Sequence, residues 1–307
     1  MEQYYVGVDV GGTTVKMGLF SDVGDLLEKW EIPTRLEDQG SHILTDIVDS
    51  IEEKRAEREG NIKGIGVGIP GPVTNDGVVL KCSNLGWDVF NVRNEIASLT
   101  GVGNVKVAND ANVAALGEMW KGGGRGYDSI VMVTLGTGVG GGIIQQGKIL
   151  TGSKGAGGEI GHTKVNPDET ERCGCGNKGC LEQYASATGI VRMAKQGAWQ
   201  NSCLAHQSIT AKTVFDGARE GDSYCLEIVE KFGKYLGLAL SNVAHVVDPE
   251  AFVIGGGVSK AGKMILDVVE KYYADNAMYA IKDCKFHLAE LGNDAGIYGT
   301  VRMVMFS

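Results

Sequence analysis

Proline is scarce in this chain of 307 residues, at 5, and no apolar stretch approaches the roughly 20 residues that span a bilayer. The sequence does not open on a cationic segment followed by an apolar run, so a secretory signal is not expected. Basic residues are also few, 29 against 38 acidic ones, and the net charge of -9 disfavours nucleic acid and anionic membranes as partners. We therefore expect a soluble, cytoplasmic protein.

The chain has seven cysteines, an odd number, which argues against a disulfide framework. Four stand alone in the sequence and are expected to be buried or inert: Cys82, Cys203, Cys225 and Cys284. The other three are crowded together downstream of a histidine. Three thiolates and one imidazole form a closed tetrahedral zinc shell, which predicts a structural zinc site at His162, Cys173, Cys175 and Cys180. The alternative is three reduced thiols without a metal.

Glycine is plentiful instead, with 47 residues gathered in short clusters after β-branched runs. A strand, glycine turn, strand unit occurs after Asp9 and again after Thr134, and a third cluster, Gly255 to Gly257, follows another apolar run. The repetition predicts an α/β protein of two similar lobes, each offering a glycine turn to a shared cleft. The alternative is that these turns merely follow strands, as they do in any α/β protein.

The hydrophobic pattern predicts the order of the elements. Strands are expected at Tyr4 to Val10, Val15 to Phe20, Ile62 to Pro70, Ser129 to Leu135, Ile143 to Leu150 and Ala251 to Ile254. Helices are expected at Ser41 to Glu59 and Ala111 to Trp120, and one glycine turn at Gly136 to Gly142. The lobes are expected to comprise residues 1–118 plus 296–307 and residues 119–295, with a C-terminal helix returning to the first lobe.

The first glycine turn combines a carboxylate with open backbone. Asp9 ends a strand and is followed by Gly11, Gly12 and Thr13, whose amides and hydroxyl suit phosphate oxygens. The Asp9 carboxylate suits a magnesium ion, held through water. The turn lacks the lysine of a Walker loop, and the later GxGxxG letters from Gly136 to Gly141 are followed by a strand rather than a helix. A plain hairpin turn is the alternative reading of either segment.

Polar side chains that suit a phosphoryl acceptor follow. Asp110, in Asn109-Asp110-Ala111-Asn112, is the candidate general base, and the alternative is that it only caps a helix. Glu159 and Glu182 flank the cysteine cluster and suit a ligand rich in hydroxyls, although two solvated surface glutamates are the alternative. Asn84 is a further candidate, unless it only forms a turn.

Taken together, these motifs resemble the ROK family, which groups bacterial sugar kinases with sugar-responsive repressors. The matching stretches run in the family's order: DVGGT from Asp9, PGP from Pro70, NLGW from Asn84, NDAN from Asn109, LGTGVGGG from Leu135, GEIGH from Gly158, CGCGNKGCLE from Cys173 and GGG from Gly255. They span nearly the whole chain.

The resemblance implies a two-lobed actin-like (ribonuclease H-like) ATPase fold with the active site in the cleft between the lobes. It implies that Asp110 is the catalytic base and that the sugar contacts are Asn84, Asn109, Asp110, Glu159, His162 and Glu182. It assigns ATP and its phosphates to Asp9, Gly11, Gly12, Thr13, Gly136, Thr137, Gly138, Gly255, Gly256 and Gly257. Magnesium, structural zinc and a homodimer are implied as well, whereas Lys16 receives no role.

The implied activity is transfer of the ATP γ-phosphate to a hexose. The NLGW, GEMWKG and GEIGH segments look most like the glucokinase branch, which predicts phosphorylation of the 6-hydroxyl of glucose. Kinases for N-acetylmannosamine or another hexose are the first alternative. A non-catalytic sugar sensor or a repressor is the second. The repressor is disfavoured because the first strand begins at Tyr4 with no DNA-reading module ahead of it, whereas the sensor predicts sugar binding without ADP release.

Overall fold

A computed structural model describes residues 2–197 and 199–306. The chain divides into two compact units. The first unit runs from the N-terminus to Gly126 and adds Gly142–Gly158 and the chain from Leu291 onward; the second comprises Tyr127–Gly141 and Glu159–Glu290. This division differs from the predicted lobes chiefly at residues 142–158, which belong to the first unit. Within the described residues, no helix combines the length and apolar character that crossing a bilayer requires.

The strands and helices follow in the predicted order. The strands are β1 Gln3–Val10, β2 Thr14–Ser21, β3 Leu26–Pro33, β4 Asn61–Ile69, β5 Val78–Val79, β6 Phe90–Asn91, β7 Val105–Asn109, β8 Ile130–Leu135, β9 Val139–Gln145, β10 Lys148–Ile149, β11 Ala251–Gly255 and β12 Lys285–Leu288. The helices are α1 Glu37–Gly40, α2 Ile43–Ala56, α3 Val92–Thr100, α4 Asp110–Lys121, α5 Glu182–Ala185, α6 Ala187–Lys195, α7 Ala211–Arg219, α8 Ser223–Val247, α9 Lys263–Asn276 and α10 Ala295–Met305.

One sheet of the first unit has the strand order β3-β2-β1-β4-β7. β1, β2 and β3 form an antiparallel meander, and β4 and β7 then add in parallel to β1. The register of the first hairpin pairs Asp9 with Lys16 and Val10 with Val15. The parallel strands β1, β4 and β7 therefore bring their carboxyl ends, with Asp9 and Asn109, to the same edge of the sheet.

Helix α10 covers this sheet at unusually short range. A side chain at Gly66 of β4 would lie 2.0 Å from the Thr300 carbonyl oxygen, and one at Gly299 would lie 1.6 Å from the Val113 carbonyl oxygen on α4. Only glycine permits these approaches between backbones. Ile297 and Val301 are fully buried on the apolar face of α10. The predicted C-terminal helix is therefore confirmed as an element, and it packs on β1, β4 and α4.

The second sheet has the order β10-β9-β8-β11-β12, with β8, β11 and β12 parallel. The predicted glycine turn at Gly136 to Gly142 is too long, because β9 already begins at Val139. Gly142 serves packing instead: a Cβ there would lie 2.7 Å from the Ala111 carbonyl oxygen of α4. A run of glycines thus concealed two different roles, a turn at its start and a close helix contact at its end.

Candidate active site

In the first unit, the turn after Asp9 is held by its own backbone. The Gly11 amide donates to the Thr14 carbonyl oxygen at 3.0 Å, and the Thr34 hydroxyl donates to the Gly11 carbonyl oxygen at 2.7 Å. Nothing lies within 4 Å of a Cβ built at Gly12, so this part of the turn is open. Gly12 and Thr13 are exposed. The turn is a rigid concavity that suits an oxyanion.

The surroundings of the Asp9 carboxyl raise its pKa. Burial and then the charge of Asp110 bring the pKa to about 6, against the lowering effect of Lys16. A side chain at Gly296 of α10 would lie 2.4 Å from the Asp9 Oδ2 atom, which shows how closely α10 covers the carboxyl. A nearby cation would favour the ionised form, so the Asp9 carboxyl suits a hydrated magnesium ion. Lys16, whose role the sequence left open, partly offsets the charge of Asp9.

Helix α4 begins at Asp110, and Asn109 is its cap. The Asn109 Oδ1 atom accepts from the backbone amides of Ala111 at 3.0 Å and Asn112 at 3.2 Å. The Asp110 Oδ1 atom accepts from the Ala111 amide at 2.8 Å and from the Asn109 side-chain amide at 2.9 Å. Asn109 is therefore the residue that caps the helix, and Asp110 adds one hydrogen bond to the Ala111 amide. The Asp110 carboxylate is consequently fixed in one orientation, as a positioned base requires.

Two loops of the first unit approach α4. The Asn109 side-chain amide also donates to the Gly71 carbonyl oxygen at 3.1 Å, which ties down the Pro70-Gly71-Pro72 turn. Asn84 is exposed in a turn closed by hydrogen bonds between Cys82 and Trp87. Burial raises the pKa of the Cys82 thiol, and the charge of Asp110 contributes to that rise. Asp9, Asn109 and Asp110 therefore form one polar group in this unit, and the turn that carries Asn84 lies in reach of its charge.

In the second unit, the glycine turn after β8 is fixed by Glu182. The Val139 amide donates to Glu182 Oε2 at 3.0 Å, and a Cβ at Gly138 would lie 2.3 Å from that same oxygen. The start of α6 holds the turn from the other side, since the Ala187 amide donates to the Gly136 carbonyl oxygen at 2.8 Å. Glu182 is thus no solvated surface residue. Its Oε1 atom lies 3.6 Å from the Cys173 sulfur, which joins the turn to the cysteine cluster.

The histidine and three cysteines that the sequence singled out converge. One ligand atom from each of His162, Cys173, Cys175 and Cys180 lies within 4.8 Å of all the others. The sulfurs of Cys175 and Cys180 are 3.6 Å apart, and His162 Nδ1 is 3.8 Å from the Cys173 sulfur. Sulfurs bound to zinc at about 2.3 Å in a tetrahedron lie about 3.8 Å from one another, so the donor set fits zinc. Burial raises the pKa of Cys180 to about 12, so this thiol needs a cation in order to ionise.

Glu159 and His162 lie at either end of one short segment. A 3-10 helix spans Ile160–His162, and the His162 amide donates to the Glu159 carbonyl oxygen at 3.2 Å. A Cβ at Gly161 would lie 2.1 Å from the Val139 carbonyl oxygen, so this helix lies against the start of β9. Glu159 is exposed and His162 is half-buried. In the second unit, therefore, His162 and Glu182 are grouped around the cysteines, and Glu159 lies in the segment beside them.

A cavity of about 560 Å³ lies in the second unit between two glycine turns and α7. Gly136, Thr137 and Gly257, which the family resemblance assigns to ATP, line one part of it. Gly256 needs its positive φ of 84°, because a Cβ there would lie 2.6 Å from the Leu135 backbone. A volume of this size accommodates an adenosine group.

The other wall of this cavity was missed by the sequence reasoning. It is lined by Thr210, Ala211, Lys212, Phe215, Asp216, Arg219, Val258, Lys260 and Ala261. The available signal was the Thr210 capping box, in which its hydroxyl accepts from the Thr213 amide and marks the start of α7. A cap locates a helix but carries no information about which loops the helix faces.

Comparison with known proteins decides the family. The model of the ROK family matches residues 5–305. This chain belongs to the ROK family. A glucokinase of Halalkalibacterium halodurans is 44% identical, with 97% of this chain and 94% of the relative covered. A glucokinase of Thermotoga maritima is 36% identical over 97% of this chain and 96% of its own length.

A solved ROK structure agrees over the same extent. The ROK glucokinase of Streptomyces griseus, determined in complex with glucose and AMPPNP, is 33% identical, covers 98% of both chains and superposes with a TM-score of 0.73. The predicted two-lobed actin-like α/β fold is thereby confirmed. The ROK resemblance inferred from the motifs is confirmed with it.

Proposed function

We propose that this ROK protein is a glucokinase that transfers the γ-phosphate of ATP to the 6-hydroxyl of glucose. The observation that carries the proposal is the Asp110 carboxylate, oriented at the start of α4 by Asn109 and the Ala111 amide. The 44% identity to the glucokinase of Halalkalibacterium halodurans supports the choice of glucose. The product pair is glucose 6-phosphate and ADP.

Asp110 acts as the general base. Its carboxylate accepts a hydrogen bond from the 6-hydroxyl of the sugar. It takes the proton of this hydroxyl as the hydroxyl oxygen attacks the γ-phosphorus of ATP. A helix N-terminus favours the ionised form of a carboxyl group. Because the transition state of phosphoryl transfer is loose, the proton leaves late, and an oriented carboxylate of ordinary basicity is sufficient.

Polar side chains hold the sugar through hydrogen bonds. As the family resemblance implies, we assign this role to Asn84, Asn109, Asp110, Glu159, His162 and Glu182. The contacts of Glu182 and Asn109 with backbone groups fix these side chains before substrate arrives. Preorganised acceptors of this kind discriminate between hexoses, because a missing or inverted hydroxyl leaves one of them unpaired.

ATP is held by the three glycine turns. We assign its phosphates to the turns at Gly11 to Thr13 and Gly136 to Gly138, and its adenosine group to the cavity beside Gly255 to Gly257 and α7. Asp9 would hold the hydrated magnesium ion that accompanies the nucleotide, and that ion would supply positive charge near the phosphates. Backbone amides of the turns neutralise charge on the transferring phosphoryl group, which is the main electrostatic contribution to such reactions.

His162, Cys173, Cys175 and Cys180 would hold a zinc ion in the second unit. With four protein ligands, the ion would leave no position for substrate and would stabilise the local fold. Its role in the reaction would be indirect, since the same segment carries His162 and Glu182. We further propose that the enzyme is cytoplasmic, since ATP and reduced thiolates are both expected in that compartment. As the family resemblance implies, we also propose that it is a homodimer.

The test is ADP release by the purified protein with ATP and magnesium, offered glucose, N-acetylmannosamine, fructose or no sugar. We expect release with glucose, and we expect Asp110→Asn to lower kcat by about 10²- to 10⁴-fold while glucose binding by calorimetry is retained. Release with another sugar would keep the reaction and change the substrate. Binding of sugar without ADP release would favour the sensor, and full turnover by Asp110→Asn would exclude this base.

A further inference from the structure

Two cysteines outside the zinc cluster lie side by side behind α7. The sulfurs of Cys203 and Cys225 are 3.9 Å apart. A Cβ built at Gly217 of α7 would lie 2.7 Å from each sulfur, so the backbone of this helix is in contact with both thiols. From the sequence these cysteines were expected to be buried or inert, because each stands alone; 22 positions separate them in the chain.

We propose that Cys203 and Cys225 are a modification site, at which a low-molecular-weight disulfide converts the two thiols into an intrachain disulfide bond. The bond requires a sulfur separation of about 2.05 Å. Rotation of the two side chains toward each other, with a small shift of the short 3-10 helix that carries Cys203, closes the remaining distance. That helix spans Cys203–His206, whereas Cys225 lies in the first turn of the long helix α8.

A metal ion is a poorer occupant of this cluster. Asp222 is its third member, but its carboxylate already accepts from the Ser202 hydroxyl at 2.9 Å and from the amides of Cys203 at 2.8 Å and Cys225 at 2.9 Å. Asp222 thereby caps α8. These hydrogen bonds occupy the carboxylate, so the two thiols are left without a third strong ligand.

The order of reaction follows from exposure. Cys203 is partly exposed, while Cys225 is fully buried and burial raises its pKa to about 12. The Cys203 thiolate attacks the small disulfide first, forming a mixed disulfide and releasing one thiol. The Cys225 sulfur then attacks the Cys203 sulfur and expels the second thiol. In total two protein thiols become one disulfide, one small disulfide becomes two small thiols, and no net proton is released.

The disulfide would close a loop of the chain that includes one wall of the proposed nucleotide cavity. The closed loop runs from Cys203 to Cys225 and contains all of α7, including Lys212, Phe215 and Asp216 on the cavity. Cross-linking the ends of a loop reduces the open states available to it. The oxidised protein should therefore open less often at α7, which gives a readout that does not depend on kinase activity.

The experiment incubates the zinc-supplemented protein with glutathione disulfide and reduced glutathione at a series of ratios. Free thiols are then alkylated, and the peptides are mapped by mass spectrometry without reduction. We expect a Cys203–Cys225 cross-link that dithiothreitol reverses. Hydrogen exchange at residues 210–219 should slow by at least about threefold on oxidation. Cys284→Ser, a lone thiol elsewhere in the unit, is the matched control and should retain the cross-link.

Cys225→Ser removes the second thiol and should stop the reaction at a mixed disulfide on Cys203. Three results would overturn the proposal: both thiols remain open to alkylation in the wild type, the wild type also stops at the mixed disulfide, or cross-links form only among the zinc-binding cysteines. Unchanged exchange at residues 210–219 in the cross-linked protein would overturn the inference that the bond stabilises α7.

Discussion

Replacing Asp9 by asparagine should stabilise the protein while impairing the reaction. Asp9 is partly buried, its pKa is raised from 3.8 to about 6, and its charge is repelled by Asp110. At neutral pH the folded protein therefore holds an ionised carboxylate in a place that favours the neutral form. The proposed role of Asp9 at the magnesium ion accounts for such a group, because that role requires its charge.

The magnitude follows from the pKa difference. A shift of about 2.2 units corresponds to about 3 kcal/mol. Because the native state binds the proton more tightly than the unfolded state, the stability from this group is complete below about pH 4 and is lost as pH rises to about 6. An asparagine amide must be desolvated as well, and the carboxylate is partly exposed. We therefore expect Asp9→Asn to raise the free energy of unfolding at pH 7 by about 1 to 2 kcal/mol.

The assay is thermal unfolding between pH 4 and 8, without nucleotide or magnesium, for wild type, Asp9→Asn and the exposed control Asp22→Asn. The Asp9 variant should melt a few degrees higher at pH 7, about 2 to 6 °C, and the difference should vanish toward pH 4. ADP release by the same variant should fall. A variant that melts lower than wild type at pH 7, or a difference that does not depend on pH, would refute the reasoning.

Three further predictions concern the second unit. Cys175→Ser should lower the zinc content measured by mass spectrometry and the melting temperature, since it breaks the closed shell; full zinc occupancy would contradict this. Gly138→Ala places a Cβ 2.3 Å from Glu182 Oε2 and should raise KM for ATP by about tenfold, whereas Gly103→Ala, with nothing within 4 Å, should not. Glu169→Gln removes a carboxylate whose pKa Arg192 lowers to about 2. This carboxylate contributes about 1 to 2 kcal/mol to the free energy of unfolding above pH 4.5, and the contribution is lost toward pH 2. Acid unfolding curves of the variant should lack it.

Local motifs allowed much of the fold to be predicted from the sequence. The first hairpin, the helix that starts at Asp110 and the convergence of His162 with the three cysteines depend on residues close together in the chain. Short spacing limits the number of arrangements that such residues can adopt. Their chemistry, such as thiolates with imidazole, then selects one of them.

Features that depend on distant contacts could not be predicted in this way. The wall of the nucleotide cavity formed by α7, and the pairing of Cys203 with Cys225, arise only when separate helices pack together. The glycine run after β8 read as a single turn, although Gly142 is required for a contact with α4. Composition identifies where the backbone must come close to something, but only the packed fold shows what that neighbour is.

The position of α10 has a consequence for synthesis of the protein. Gly296 lies against Asp9, and Gly299 against the backbone of α4, so the polar group around Asp110 rests on a helix that is synthesised long after β1. β1, with Asp9, is made well before α10 can cover it. A nascent chain that lacks Ala295–Met305 can form its meander, but it exposes the apolar surface of β1 and β4. The first unit is therefore open to chaperones until α10 docks.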